Sequence, residues 1–344
     1  MRAFQLVAPG VTELREVDTP VPGAGQVLLK VTGAGVCHSD LHILHAPATV
    51  FPTPMTFGHE VSGTVALAGE GVVGWEEGTP ALVYICWGCG RCSACLVGAE
   101  NYCRAYPRST VPGGGLGLDG GMADYVVVPA RHLVPLGDLD PIAATPLTDA
   151  GLTPYHAIAQ ARSRLNPSST AVVIGVGGLG HVGLQILKAT TGATVIAVDT
   201  DEARLAQATE LGADHVLLAE TNTATDILAL TNQVGADAIF DFVGLDSTLD
   251  IAGNAVRSAG QIMLVGLGGG TLPMSAIGMA APVPWGVTVQ KPYGGTRRDL
   301  AEVVALAAAG RIHVAATAFP LDDAAKVFAQ LERGEILGRA VLVP

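Results

Sequence analysis

An apolar run, Ala171-Val172-Val173-Ile174, leads directly into Gly175-Val176-Gly177-Gly178-Leu179-Gly180, and the residues from there to Thr190 carry a helical pattern. A glycine pattern of this kind is informative only between a strand and a helix, and both are present here. The first glycine permits a tight turn. The second lets backbone N–H groups approach a pyrophosphate at the helix N-terminus, and the third lets helix and strand pack closely. Gly175, Gly177, Gly178, Leu179 and Gly180 are therefore read as a dinucleotide site. The next apolar run, ATVIAVD, ends at Asp199, whose carboxylate is suited to accept hydrogen bonds from ribose hydroxyls and to repel a 2′-phosphate, so NAD is expected over NADP. No arginine adjoins Asp199 in the sequence. Arg204, the nearest, reads equally as an adenine contact or as a solvated helix charge.

A strand–helix unit of this type predicts a doubly wound parallel sheet, and the alternation continues through DEARLAQATELGA, ADAIFDFVG and GQIMLVGLG. Val243 and Val265, at the ends of the last two runs, are counted with the cofactor site. The chain begins differently. FQLV, ELREV and GQVLLKV are short strand candidates broken by proline and glycine, an all-β opening. After Gly295, RRDLAEVVALAAAG and LDDAAKVFAQLERG have apolar residues at helical spacing, and RAVLVP reads as a last strand that need not join the parallel sheet. With 344 residues the chain exceeds the roughly 250–300 at which a single hydrophobic core stops growing, so two domains are expected.

Charge narrows the partners. A net charge of −12 with no basic face argues against nucleic acid, whose phosphates need cationic contacts. No run approaches the ~20 apolar residues of a membrane span, and MRAFQLVAPG lacks the regions of a signal peptide. A soluble cytoplasmic protein is the expectation.

Of six cysteines, all but Cys37 fall between Cys86 and Cys103. Cys89, Cys92, Cys95 and Cys103, in a loop rich in glycine, suit a tetrahedral structural zinc better than disulfides in a large chain without an export signal. Cys86-x2-Cys89-x2-Cys92-x2-Cys95 also approximates iron–sulfur spacing, but the ferredoxin ending of three residues, cysteine and proline is missing. Cys86 is left as a spare thiol. A second constellation comprises Cys37-His38-Ser39-Asp40-Leu41-His42, after a strand, and Gly58-His59-Glu60. Cys37 and His59 are good zinc ligands. A catalytic site needs a third protein ligand and one open position, and for the third the residues leave Glu60, His42, His38 and Asp149 as candidates.

GVCHSDLH, GHE followed by Gly63, Gly69 and Val72, CGRCSACLVGAENYC and LTDAGLTPYHA together resemble the zinc-containing alcohol dehydrogenases of the medium-chain dehydrogenase/reductase superfamily over nearly the whole chain. The likeness is strongest to bacterial NAD-dependent secondary-alcohol dehydrogenases, which often carry aspartate where Asp149 stands. The resemblance implies a GroES-like β-rich catalytic domain with a Rossmann cofactor domain inserted: residues 1–150, then 151–293 for NAD, then a return over 294–344. It implies Cys37, His59 and Asp149 as catalytic zinc ligands, Glu60 as a carboxylate exchanging with water, Ser39 as proton acceptor and His42 as relay. Thr153 would pack on the nicotinamide, with His38 and Arg339 near the pyrophosphate. Two zinc ions per chain and a homodimer or homotetramer follow. Thr79-Pro80-Ala81 departs from the acidic and basic pair usual after the glycine at 78. Gly294 stands where relatives can carry a bulky aromatic.

Small alcohols and ketones are the expected substrates, mainly secondary ones. A polyol or threonine-type dehydrogenase is the alternative, disfavoured because Ile85, Trp87, Phe51 and Trp285 suggest an apolar pocket. A non-catalytic relative should lack either zinc ligands or a proton acceptor. His132, His156, His181, His215 and His313 fit no ligand spacing and are read as surface or core residues.

Overall fold

The computed structural model describes residues 1–108, 110–274 and 283–344. Contacts divide the chain into two units, Met1–Leu152 with Gly294–Pro344, and Thr153–Tyr293.

The first unit is built around the strand Gln26–Val36. Val27, Leu28, Leu29 and Val31 are buried while Lys30 is exposed, so most of this central strand is covered by the core. It belongs to a seven-stranded sheet ordered Leu133–Pro135, Pro80–Val83, Glu60–Ala68, Gln26–Val36, Arg339–Val343, Ala316–Pro320, with Tyr125–Pro129 also paired to Gln26–Val36. The last strand of the chain therefore completes a sheet begun near its start. FQLV and all of ELREV but Val17 lie in the strands Arg2–Ala8 and Val11–Glu16, which pair antiparallel. Phe328, on the returning helix Ala324–Glu332, meets Phe4 and Phe57 edge-on at centroid distances of 5.2 and 5.3 Å, tying both chain ends into one core. The helix Arg297–Ala308 starts where the sequence TRRD places a capping box. Thr296 Oγ1 accepts the Asp299 N–H, and Asp299 Oδ2 accepts the Thr296 N–H. The unusual turn before Pro80 closes through the Thr79 N–H to Glu76 O at 3.1 Å.

The second unit is a parallel six-stranded sheet in the order His215–Leu218, Thr194–Asp199, Thr170–Ile174, Ala236–Asp241, Val256–Leu264, Thr288–Gln290. The central strands are buried on both faces, which is why they read as continuous apolar runs. His215–Leu218 and the helix Thr223–Leu230 escape the sequence pattern because that strand lies at the sheet edge and is largely exposed. Strand order reverses between Thr170–Ile174 and Ala236–Asp241, the switch point beyond whose carboxyl ends such sheets bind ligands. No helix among the described residues is long and apolar enough to cross a membrane.

Candidate active site

The strand Gln26–Val36 delivers Cys37 to the N-cap of a short helix, His38–Leu44. The Cys37 N–H donates to Asp40 Oδ2 at 2.8 Å, and Cys37 Sγ accepts the Ser39 N–H at 3.5 Å. The other oxygen of Asp40 lies 3.2 Å from His59 Nδ1, with both side chains buried. One carboxylate therefore orients two candidate ligands, the arrangement by which a histidine ring is held with its far nitrogen free for a metal. Asp40 is absent from the sequence-derived site. Its signal, an acidic residue three positions after the helix cap, is hidden because cysteine is an uncommon cap.

Sheet register brings the remaining groups to Cys37. Gly35 lies opposite Glu60, and Val36 lies opposite Ala340, so Glu60 and Arg339 flank the end of the central strand. A Cβ on Gly35 would collide with the Glu60 carboxylate, so glycine there makes room for it. Cys37, His59, Glu60 and Asp149 are all buried and place one ligand atom each within 4.8 Å of the others. Asp149 Oδ2 is 3.4 Å from Cys37 Sγ and 3.7 Å from His59 Nε2. Around zinc with bonds of about 2.0–2.3 Å, tetrahedral ligand atoms stand roughly 3.3–3.8 Å apart, so the spacing fits the ion.

Burial opposes a charged His59, yet the Asp40 carboxylate and the ring's hydrogen bonds to Asp149, Asp40 and Cys37 outweigh it and hold the imidazole well above its usual value. Burial drives Glu60 up, with the Arg339 guanidinium opposing. Arg339 Nε donates to both Glu60 oxygens at 3.0 and 3.2 Å, and its Nη2 reaches Glu60 and, at 3.1 Å, Asp149 Oδ2. Arg339, expected near a pyrophosphate, is thus committed to the carboxylates of this cluster, because antiparallel pairing next to Val36 turns its side chain inward. Ser39 Oγ is 3.6 Å from Cys37 Sγ and partly exposed, and His38 and His42 are exposed on the same helix.

The thiols of Cys89, Cys92, Cys95 and Cys103 form a second group. Cys89–Cys95, Cys92–Cys95 and Cys92–Cys103 are separated by 4.0, 3.5 and 3.9 Å, against about 3.8 Å for four sulfurs at 2.3 Å from one zinc. Backbone N–H groups of Cys95 and Arg104 draw the Cys92 thiol down to about 6, favouring the thiolate a metal needs. Cys86 is not in the group. It is fully buried, and burial pushes its thiol up to about 12.

In the second unit Gly175 has φ +84° and is packed against the Val243 side chain, while a Cβ on Gly180 would strike the Gly175 carbonyl. These are the tight turn and close approach that the sequence pattern predicts. Leu179 caps the helix Gly180–Thr190, and Gly177 and Gly178 lie in the turn before it. Asp199 closes its strand, with Oδ2 accepting the Val176 N–H at 2.7 Å and Oδ1 the Asp201 N–H at 3.1 Å. One expectation changes. The helix Glu202–Glu210 carries Arg204 back to 3.8 Å from Asp199 Oδ1, so an arginine does stand beside that carboxylate. Val265 follows the strand Val256–Leu264, and Thr153 is buried at the start of the unit.

The aromatic lining predicted for the pocket is corrected in two places. Trp87 is a core residue, stacked on His132 with its Nε1 donating to Tyr84 O at 2.8 Å. Trp285 is 75% exposed on the turn before Thr288–Gln290. Ile85 is buried and Phe51 partly so, packed on the core. Among the remaining histidines, His132, His156 and His181 are buried and His215 and His313 exposed, and none belongs to either ligand group.

Residues 23–138 match the alcohol dehydrogenase GroES-like domain family, and residues 178–309 match the zinc-binding dehydrogenase family. The chain is 36% identical to an NAD-dependent alcohol dehydrogenase of Sulfurisphaera tokodaii over the full length of both proteins. It superposes on the crystal structure of the alcohol dehydrogenase from Aeropyrum pernix with a TM-score of 0.92 at 34% identity, covering all of both chains. An acetophenone reductase from Geotrichum candidum, solved in complex with NAD, is 33% identical with a TM-score of 0.87, covering all of this chain and 97% of that one.

Proposed function

The chain belongs to the zinc-dependent alcohol dehydrogenases of the medium-chain dehydrogenase/reductase superfamily, and from that premise we propose that it interconverts small, mainly secondary, alcohols and ketones at Cys37, His59 and Asp149. NAD-dependent oxidation of alcohols and reduction of carbonyls is the activity, with NAD and zinc as cofactors. The observation that carries the site assignment is the buried group of one thiolate, one imidazole and one carboxylate with the Ser39 hydroxyl beside it. Zinc held there supplies Lewis-acid polarisation of the substrate oxygen, and NAD carries the hydride.

The chain's own residues do the rest. Asp40 holds the His59 ring so that Nε2 points toward Asp149. Arg339 holds both Glu60 and Asp149, and Cys37, His59 and Asp149 would be the three protein ligands that a catalytic zinc needs beside one open position. Ser39 takes the proton from the alcohol, and His42, one turn along the helix and exposed, passes it to solvent.

The preference for secondary alcohols rests on the likeness of the segment carrying Asp149 to secondary-alcohol enzymes. Gly294 does not widen the site, since a Cβ there would already be crowded, 3.0 Å from Cys86 Sγ and 3.3 Å from Ile85 Cδ1. A ketone needs room for two carbon substituents, and each methylene in an apolar pocket contributes about 1–3 kcal/mol of discrimination. The related acetophenone reductase is consistent with a bulky carbonyl substrate. The test is a steady-state screen of ethanol, 2-propanol, 2-butanol and 1-phenylethanol with NAD, with and without chelator. The secondary alcohols are expected to have the higher kcat/KM; preference for ethanol over all three would overturn this substrate class. Substituting Gly294 is a poor test of size, because its φ of +51° strains any residue with a side chain.

A homo-oligomer is part of the same proposal. Among the described residues, Thr288–Gln290 ends the six-stranded sheet with one side unpaired, and the exposed Trp285 lies beside it, an edge that a second copy of the chain would cover. Sedimentation analysis is expected to give a dimer or tetramer, and a monomer at micromolar concentration would refute it.

A further inference from the structure

The second unit contains a buried carboxylate outside the residues that the cofactor reading uses. Asp241 ends the strand Ala236–Asp241 at the switch point and is fully buried. Its Oδ1 accepts the N–H groups of Val243 and Gly244 at 2.8 and 2.9 Å, and its Oδ2 accepts the Thr248 hydroxyl at 2.8 Å. Its main-chain carbonyl accepts the N–H groups of Val265 and Gly266, each at 2.9 Å. One residue therefore ties together the loops that follow two neighbouring strands. The loops are laced further by the Gly268 N–H to Val243 O at 3.0 Å and the Gly270 N–H to Gly244 O at 2.8 Å. Val243 in turn packs against Gly175, the first residue of the dinucleotide turn.

We infer that Asp241 is a positioning residue of the cofactor site: from beneath the loops it sets the separation of Val243 and Val265 and, through Val243, the form of the Gly175 turn. The inference rests on the reading of this unit as the NAD-binding one. The Asp241 carboxylate accepts three hydrogen bonds that hold the four-residue turn between Asp241 and Asp246, and without it the N–H groups of Val243 and Gly244 lose their acceptor. A buried donor left unsatisfied is costly, so the loop is expected to rearrange instead.

The two informative variants are Asp241→Ala and Asp241→Asn. Asparagine is nearly isosteric. Its Oδ1 keeps both backbone N–H partners, and its Nδ2 can donate to Thr248 Oγ1, whose hydroxyl also reaches Leu245 O at 3.0 Å. NAD dissociation constants are measured by quenching of protein fluorescence, alongside KM for NAD, kcat and zinc content. Asp241→Ala is expected to bind NAD at least about tenfold more weakly, with KM for NAD rising in step, kcat at saturating NAD within about threefold, and zinc content unchanged. Asp241→Asn is expected to restore NAD binding to within about threefold of the native chain. A purely structural role predicts a lower melting temperature without this split between KM and kcat. Native NAD affinity in Asp241→Ala, or equal loss in Asp241→Asn, would overturn the inference. Should Asp241→Ala fail to fold, Thr248→Val removes one of the three donors and is expected to weaken NAD binding by about threefold or more; native affinity there would also overturn it. Failure of the native chain itself to bind NAD would instead refute the reading of the unit.

Discussion

Replacing His59 with alanine is expected to lower kcat/KM for alcohol oxidation by roughly 10³–10⁴ and to remove one of two zinc ions per chain, with NAD binding unchanged. Lewis-acid stabilisation of a developing alkoxide is worth several kcal/mol, and each 1.36 kcal/mol is about a factor of ten in rate. NAD binding should survive because the Gly175–Gly180 turn and Asp199 belong to the other unit. Two further variants grade the effect. Asp40→Asn leaves every ligand in place and removes only the carboxylate behind Cys37 and His59, for which a loss of about 10–100-fold in metal affinity is expected. Cys92→Ser touches the four-thiol group, and should cost thermal stability and the other zinc rather than the chemical step. Elemental analysis with steady-state kinetics reads all three. Full activity in His59→Ala, or a native preparation containing iron and inorganic sulfide, would refute the assignment of the two sites.

Ser39→Ala is expected to lower kcat by about 10²–10⁴, the usual contribution of a positioned proton acceptor, with no weakening of NAD binding. Helix geometry gives the reason. Ser39 and His42 are three residues apart, on one face of His38–Leu44, while Asp40 and Leu41 between them are buried. The partly exposed hydroxyl beside Cys37 and the exposed imidazole one turn on thus form a path from the metal group to water. Water can replace the last member of such a path, so His42→Ala should be milder and should mainly alter the pH dependence of oxidation. Unchanged oxidation kinetics in Ser39→Ala would remove the relay from the mechanism.

The buried charges around the catalytic group explain why it tolerates so many ionisable side chains. Arg339, Glu60, Asp149, His59 and Asp40 form a connected set in which each buried carboxylate has a cationic or hydrogen-bonding neighbour. Such sets are poor sources of stability, since desolvation consumes most of the attraction, but removing one member leaves an unpaired buried charge. Their value here is positional: Glu60 and Asp149 are held by the same guanidinium.

Local pattern was enough for those features whose physics is local. The glycine turn between a strand and a helix, the acid at the end of the next strand and the close spacing of Cys89, Cys92, Cys95 and Cys103 are each contained in one short segment, because turn geometry and tetrahedral ligation by a loop depend on nearby residues. Tertiary structure decided what depends on register. Cys37, His59, Asp149 and Arg339 are far apart in the chain; His59 and Arg339 meet Cys37 because Gly35 pairs with Glu60 and Val36 with Ala340, and Asp149 joins them from the end of the turn Thr145–Thr148. The inward turn of Arg339, the reach of Asp40 to His59 and the joining of two loops by Asp241 likewise need partners distant in the chain. Trp87 and Trp285 show the converse, since aromatic character says nothing about whether a ring enters a core, a pocket or solvent. Side-chain direction follows strand pairing, and pairing partners are chosen by the whole sheet rather than by any one segment.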